Sequence, residues 1–351
     1  MTAPVRIAVA GAGLIGQRHI EEIDASGSAR LAAVVDPSPA AQEVADKFGV
    51  PLYGSLAELF EADRPDGVVL ATPNQLHVDG GLECVAAGVP VIVEKPIGDT
   101  VEGATRLVAA AEEAGVPLHT GHHRNYSAIM AKAREIVQSG VLGSIVAVVG
   151  TAMFYKPDDY FEAGAGWRRQ AGGGPILLNL IHEVNNLLSL VGDIVRVQAV
   201  TSDATRGFPV EDTAAMVFTF AGGALGTFLL SDTAASPRSW EQTSMENTTY
   251  ASYSDEDCYH LAGTRGSLSV PTMRLKVYEG ERSWWQPFES STVELERSDP
   301  LANQIDHFAA VIRGEVDPIC SGRDGLTTLL VVDAVLESAR TGAPVDIAAG
   351  P

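Results

Sequence analysis

The sequence is short of positive charge. Twenty-four Lys and Arg stand against 45 Asp and Glu in 351 residues, a formal net charge of −21. A field of that sign repels a phosphate backbone, and no basic stripe offsets it, so a nucleic-acid partner is not expected. Long apolar runs are also missing. None approaches the ~20 residues that a membrane span needs, so no membrane partner is expected either. Met1 to Arg6 runs straight into a strand pattern without an apolar leader. Cysteine is scarce: Cys84, Cys258 and Cys320 are odd in number and far apart. That spacing suits free thiols in a reducing compartment, and the expected location is cytoplasmic. His122 and His123 find no third ligand at a plausible spacing, so no metal is expected. Internal repeats and low-complexity linkers are absent. With 46% hydrophobic residues, the chain has length enough for two domains with sizeable cores.

What the first third does contain is a strand–turn–helix signal. Val5 to Ala10 is a short apolar strand, and Gly11-Ala12-Gly13-Leu14-Ile15-Gly16 follows at once, then a helical pattern through Ile23. In G-x-G-x-x-G the first glycine permits the tight turn, the second lets a pyrophosphate approach the backbone, and the third lets helix and strand pack closely. The helix start, at Leu14 and Ile15, turns N–H groups and a positive dipole end toward phosphate. A second strand, Leu31 to Val35, ends at Asp36, twenty residues beyond Gly16. A carboxylate there suits a ribose 2′-hydroxyl and repels a 2′-phosphate, which favours NAD over NADP. Asp36 could otherwise serve only as the turn residue before Pro37.

The alternation continues. Helices are expected over Ala40–Phe48, Leu56–Glu61, His77–Ala87 and Thr100–Ala114, and strands over Gly67–Ala71, Val89–Val93 and Val116–Thr120. Such spacing predicts a doubly wound parallel sheet. Glu94-Lys95-Pro96 falls at the carboxyl end of a strand, where open α/β sheets hold ligands. A Glu-Lys pair in a loop is commonly a solvated surface charge. After a buried strand and before a proline, Lys95 is instead expected to face the cleft and to steady an oxygen that gains charge.

Gly172-Gly173-Gly174-Pro175 reads as a turn that other groups approach closely, with a helix starting at Ile176. Asn179 and His182 are i, i+3 and share a face of that helix. A single histidine of this kind is ordinarily a core residue bonded to a carbonyl, and the upstream motifs are what give it a chemical role. Phe154-Tyr155-Lys156-Pro157-Asp158-Asp159-Tyr160-Phe161, leading to Trp167-Arg168-Arg169, sets aromatic faces beside charged heads. This suits a polyhydroxylated ring or a subunit interface. Trp167 and Arg168 are assigned to the site by their nearness in sequence to the helix; for Lys156, Asp158 and Tyr160 the two readings stay open. Trp284-Trp285 reads as structural or interfacial. Strands are expected over Ser144–Val149, Val195–Ser202, Ala214–Phe220, Ala224–Asp232, Ser267–Ser269 and Leu275–Tyr278, with 236–260 an irregular excursion. Amphipathic helices are expected over Asp306–Arg313 and Asp324–Arg340.

Taken in order, these motifs resemble the Gfo/Idh/MocA family, the glucose–fructose oxidoreductase and inositol dehydrogenase group. The likeness rests on Gly11 to Gly16, Thr72-Pro73-Asn74 with His77, Glu94-Lys95-Pro96, Gly121-His122-His123-Arg124, Gly172 to His182 and Ser321-Gly322-Arg323-Asp324-Gly325. It implies a Rossmann domain over residues 1–121 and a substrate-binding and oligomerisation domain over 122–351, built on a large, mainly antiparallel sheet. It implies bound NAD, with Gly11, Gly13, Leu14, Ile15, Gly16, Asp36, Thr72, Pro73, Asn74, His77, Glu94, Lys95, His123 and Arg124 at the cofactor. It implies a polyhydroxylated substrate held by Lys95, His123, Tyr155, Trp167, Arg168, Asn179 and His182, and a dimer or tetramer formed through the large sheet. By resemblance His182 is the general base and Lys95 steadies the oxygen, with Asn179 as a third catalytic group. The implied activity is hydride transfer between a secondary alcohol and nicotinamide. Alternatives are a redox-assisted glycosidase or lyase with retained NAD, and a non-catalytic sugar-sensing protein. One departure stands out. The family's common Asp four residues before the histidine is Leu178 here, with Asn179 the nearest polar group. Without that carboxylate the base is expected to be less basic unless Asp158, Asp159 or Asp232 substitutes. A pH–rate profile that places this base well above the free imidazole value of about 6.5 would contradict this.

Overall fold

The computed structural model describes residues 3–170 and 172–348; Met1 and Thr2, counted above with the run into the first strand, lie outside them. The chain forms two compact units, residues 1–126 with 299–329 and residues 127–298 with 330–351.

In the first unit the strands are β1 (Val5–Ala10), β2 (Ala29–Val35), β3 (Leu52–Tyr53), β4 (Gly67–Leu70), β5 (Val91–Val93) and β6 (Leu118–Thr120). They form one sheet in the order β3-β2-β1-β4-β5-β6, and every pairing is parallel. Order reverses between β1 and β4, the crevice where such sheets take ligands. Helices Leu14–Ala25, Ala41–Phe48, Leu56–Ala62, His77–Ala86 and Val101–Ala114 connect the strands. Their ends follow simple chemistry. The hydroxyls of Ser55 and Thr100 accept the N–H groups of Glu58 and Gly103, and Gly49 and Gly115 close helices in the left-handed conformation.

The strand β3 has no counterpart in the expectations, because two residues carry no period. A linear division at residue 121 also assigns 299–329 to the second domain, whereas here that stretch returns to the first unit. The helix Pro300–Ile312 buries Ile305, Phe308 and Ala309 among Val5, Ile7, Val9, Leu31 and Ile92. Burying a side chain such as Phe308 is worth about 1.5–3 kcal/mol, which is enough to fix the return. Ser321 bridges His119, and a Cβ at Gly325 would lie 2.0 Å from the Thr120 hydroxyl, so the late Ser-Gly-Arg-Asp-Gly motif seats its helix on β6.

The second unit holds β7 (Ile145–Met153), β8 (Ile194–Ser202), β9 (Thr213–Phe220), β10 (Leu225–Ser231), β11 (Tyr259–Gly263), β12 (Gly266–Val270), β13 (Arg274–Val277), β14 (Glu289–Thr292) and β15 (Val345–Asp346). Their order is β14-β13-β12-β11-β7-β10-β9-β8-β15, antiparallel except for β7 with β10. Alternation decides the covered face. Ala214, Met216, Phe218 and Phe220 of β9 and Phe228 and Leu230 of β10 point into a core shared with the helices Ala128–Gln138 and Ile181–Val191. Gly150 of β7 leaves room for the Phe228 ring, which an added Cβ would meet at 2.4 Å. The opposite face exposes Val146, Val149, Val200, Val217, Leu225 and Leu229. Within the expected irregular excursion lie a short helix, Trp240–Thr243, and the start of β11. Trp284 and Trp285 are 87% and 82% exposed, so a structural role in the core is excluded for them.

Candidate functional site

In the first unit the glycine turn does three separable things. Gly11 has φ +95° and donates its N–H to the Val35 carbonyl, while an added Cβ would lie 2.4 Å from the Ala71 oxygen. Gly16 touches the turn itself, since its Cβ would fall 1.9 Å from the Gly11 oxygen. Gly13 caps the Leu14–Ala25 helix with no side-chain bond, and nothing lies within 4 Å of where its Cβ would be. Open space at a bare helix N-terminus is what a pyrophosphate requires. Leu14 and Ile15 are exposed beside it.

Asp36 does more than the motif states. Its Oδ2 accepts the Ala12 N–H at 2.9 Å and its Oδ1 accepts the Ser38 N–H at 2.8 Å. The carboxylate therefore holds the glycine turn while it keeps lone pairs for a ribose hydroxyl. Asp36→Ala is expected to weaken NAD binding by about tenfold or more, since hydrogen bonds to charged groups contribute about 1.5–3 kcal/mol. NADP binding should fall less. Fluorescence titration with NADH and NADPH measures the ratio, and an unchanged ratio contradicts the assignment.

Beyond β5 lies a buried ionic corner. The Glu94 carboxylate meets His19 Nε2 at 2.8 Å and accepts the Lys95 N–H at 3.1 Å. Gly121 makes this possible, because its Cβ would lie 2.7 Å from that carboxyl group. Burial raises the Glu94 pKa, but the His19 hydrogen bond and charge, with Lys95 and His123, outweigh it and take the carboxyl down to about 2. Burial, with Lys95 adding, lowers His122 to about 3, and burial with Arg124 lowers His123 to about 4. At neutral pH the corner thus carries the Glu94 carboxylate, with His122 and His123 neutral.

Sequence reasoning missed His19. The available signal was a polar residue on the buried face of the helix, with Gly16, Ile20 and Ile23. Thr72, Pro73 and Asn74 form the turn after β4, and His77 is buried beneath them. Its Nδ1 lies 2.7 Å from the Pro96 carbonyl and its Nε2 lies 2.9 Å from the Thr72 carbonyl. His77 ties the two loops together, and any effect it has on a cofactor runs through them. Arg124 is buried in the turn His123–Tyr126.

In the second unit each glycine of Gly172-Gly173-Gly174 has its own reason. Gly172 has φ +87°; a Cβ at Gly173 would meet the Trp167 and Arg168 backbone at 2.6 Å; one at Gly174 would meet the Glu211 carboxylate at 2.3 Å. Glu211 then accepts the Ile176 N–H at 2.9 Å and so holds the start of the site helix. Burial pushes the Glu211 carboxyl up, and the Ile176 N–H draws it back.

That start is not the expected α-helix. Ile176–Leu180 is a π turn, and α-helix runs only over Ile181–Val191. Asn179 thus sits in the π turn and His182 in the α-helix, and the single α-helix expected from Ile176 onward is corrected here. His182 is buried on the helix, and Asn179 is half-buried in the π turn. Glu183 is fully buried and accepts the Tyr259 hydroxyl, to which Asn186 also donates at 2.9 Å.

Of the carboxylates considered as substitutes for the family Asp, Asp232 binds Arg206 at 3.0 Å and lies 3.8 Å from Lys156, while Asp158 is 3.8 Å from Arg206. Lys156 Nζ donates to Asn179 Oδ1 at 2.7 Å. The Arg168 guanidinium lies over Tyr160 at 4.3 Å and Trp167 at 5.1 Å, and donates to the Tyr160 carbonyl at 3.0 Å. Burial raises the Tyr160 hydroxyl pKa, and Arg168 opposes it. Tyr155 pairs with Thr233 and is largely exposed, with Arg206 5.4 Å from its ring. The structure thus joins Asn179 to Lys156 and Trp167 to Arg168, and leaves Trp284 and Trp285 apart on the β13–β14 connection. Among the described residues no group of three or more His, Cys, Asp or Glu could hold a metal, and no helix is long and apolar enough to cross a membrane.

Comparison with known proteins agrees with this geometry. Residues 5–122 match the model of the Gfo/Idh/MocA oxidoreductase family, NAD-binding Rossmann fold, and residues 130–269 match the Gfo/Idh/MocA C-terminal domain. An inositol 2-dehydrogenase of Rubrobacter xylanophilus is 26% identical, with 97% of this chain and 92% of the relative covered. A D-apiose dehydrogenase of Paraburkholderia graminis is 27% identical over 97% of this chain and 89% of its own. Among solved structures, the WlbA dehydrogenase from Bordetella pertussis, crystallised with NADH and UDP-GlcNAcA, superposes with a TM-score of 0.78. It is 25% identical and covers 99% of this chain and 100% of its own.

Proposed function

Because the chain belongs to the Gfo/Idh/MocA family of oxidoreductases, we propose that it is an NAD-dependent dehydrogenase acting on a secondary alcohol of a sugar, polyol or related cyclic hydroxy compound. Lys95 and His182 are its catalytic pair. The observation that carries the reading is the corner after β5, where Lys95 follows a buried Glu94 held ionised by His19. An ammonium presented from so fixed a backbone suits the oxygen of a reacting alcohol. NAD fits the first unit: Gly13 leaves open space at a bare helix N-terminus, and Asp36 stands at the end of β2. When bound, the nicotinamide accepts hydride. The protein's own part is proton handling and orientation. His182 takes the hydroxyl proton as general base, Lys95 Nζ donates to the same oxygen, and Asn179, Trp167, Arg168, Tyr155 and His123 orient the ring.

The relatives that act on inositol and apiose set the first substrate panel: inositols, aldoses and their acids. Appearance of NADH absorbance with a member of this panel is the expected result. Consumption of a glycoside with no net NADH would overturn it. We place the enzyme in the cytoplasm, in keeping with three buried cysteines that form no disulfide. The open, apolar face of the nine-stranded sheet is proposed to bury itself against a second copy, and a dimer or tetramer mass by light scattering is the expected result. A monomer would contradict it.

A further inference from the structure

One lysine outside the family's catalytic pair is engaged on every side. Lys156 follows β7, and its side chain is 10% exposed. Its backbone N–H donates to the Asp232 carbonyl at 2.9 Å, and its carbonyl accepts from Arg206 Nη2 at 2.8 Å. Its Nζ lies 4.7 Å from the centre of the Tyr160 ring and 5.4 Å from that of Phe154. Arg206 also binds the Asp232 carboxylate, so the loop that carries Arg206 and Glu211 braces both Lys156 and the start of the site helix.

We infer that Lys156 is a positioning residue that fixes the Asn179 carboxamide, so that Asn179 meets the substrate only as a hydrogen-bond donor. An ammonium has three donors and no acceptor, so the atom it meets at 2.7 Å is the amide oxygen. Turning the amide over would set N–H against N–H. The Nδ2 group then faces away from Lys156, and it has no hydrogen-bond partner among the described residues. What it recognises is an acceptor oxygen: a hydroxyl, carbonyl or carboxylate oxygen of the substrate. A carboxylate at the family's usual position could only accept. Here Leu178 stands in that place and the polar contact becomes a donor of fixed direction. This deepens the dehydrogenase reading and rests on it for the presence of substrate at Asn179.

Two measurements test it, and the first needs no substrate. The chain has five lysines, so competitive amine labelling read by mass spectrometry resolves each, with exposed Lys47 as reference. Lys156 is expected to label slowly in the wild type, several-fold faster in Asn179→Ala, and more slowly again in Asn179→Asp, where a carboxylate pairs with it. The second is a cycle of kcat/KM for Lys156→Met, Asn179→Ala and the double variant, on whichever polyol or sugar yields NADH. Each single change is expected to lower kcat/KM by about tenfold or more, as for one hydrogen bond to a charged or reacting group, and the double variant no further than the worse single. Lys156→Arg, which keeps a donor, should recover part of the loss. Unchanged labelling of Lys156 in Asn179→Ala overturns the inference, as does a double variant that loses the product of both factors. If no panel member is oxidised, the dehydrogenase reading fails, while the labelling still decides whether Lys156 holds Asn179.

Discussion

Lys95→Ala and His182→Ala are each expected to abolish most turnover while leaving the folded, NAD-binding protein intact. Removing one donor to a charge-bearing oxygen typically costs about 10²–10³ in kcat, and removing a general base about 10²–10⁴. On the proposed mechanism, in which both groups serve one reacting alcohol, the two losses should not multiply. The fold should survive the lysine change. Glu94 keeps its His19 partner at 2.8 Å, and what Lys95 loses is its side chain rather than the N–H bonded to that carboxylate. NADH affinity by fluorescence should therefore stay within a few-fold while kcat falls. His182→Gln separates proton transfer from hydrogen bonding. It can still bond a hydroxyl but takes no proton at neutral pH, so it should lose about as much kcat as His182→Ala, and the acidic limb of the pH–rate profile should vanish with it. A Lys95→Ala enzyme with unchanged kcat would remove Lys95 from the proposed catalytic pair.

The reasons these residues could be found, and others not, are physical. The Rossmann half was legible because strand, glycine spacing and Asp36 lie within one local pattern of about thirty residues. What Asp36 does for the glycine turn was not legible, since the Ala12 N–H reaches it across 24 residues of chain. The helix Pro300–Ile312 shows amphipathic spacing, yet spacing names no core; only the packing of Ile305 and Phe308 assigns it to the first unit. The strand β11 follows a Ser- and Glu-rich stretch and alternates only from Tyr259 to Leu261, too briefly to mark a strand, and β14 is exposed along its length and shows no alternation.

The π turn is the most instructive miss. Gly172 to Pro175 announced a turn; Gly173 and Gly174 proved to be needed for close approach, and Gly172 for its positive φ. Nothing in Ile176 to Leu180 distinguishes an i→i+5 turn from an α-helix. What grips the turn comes from distant chain: Glu211 on the Ile176 N–H, 35 residues on, and Lys156 on Asn179, 23 residues back. Such bulges recur at functional sites, where one added residue re-aims a side chain. The polar residue in the bulge is Asn179, one place beyond the position where a carboxylate was expected.

Mild acid is expected to unfold the first unit before the second. His119 and His122 are fully buried, and burial, with the neighbouring His307 charge for His119 and Lys95 for His122, lowers each to about 3. An unfolded chain protonates these imidazoles near 6.5, so below that pH the unfolded state binds more protons and stability falls. Each group contributes about 1.4 kcal/mol per pH unit between its unfolded and folded values, about 2.7 kcal/mol per unit for both between pH 5.5 and 4. Glu94 adds to the loss below about 4.5, since its folded value is about 2. In the second unit the sign reverses. Glu211 and Asp232 are raised, chiefly by burial, so their contribution is fully present below the ordinary carboxylate value and is lost as pH rises through the folded one. All four tryptophans, Trp167, Trp240, Trp284 and Trp285, lie in the second unit. On titration from pH 7 to 4, NADH binding and helical circular dichroism should therefore be lost before the emission of buried Trp240 shifts. His119→Phe isolates one contribution. The ring sits edge-on to Phe308 at 5.1 Å, a setting that an aromatic replacement fits. Urea unfolding of this variant at pH 4.5, 5 and 5.5 should give a slope of stability against pH shallower by about 1.4 kcal/mol per unit. An unaltered slope would mean that His119 does not titrate on unfolding, and the ordering of the two units would lose that histidine's contribution.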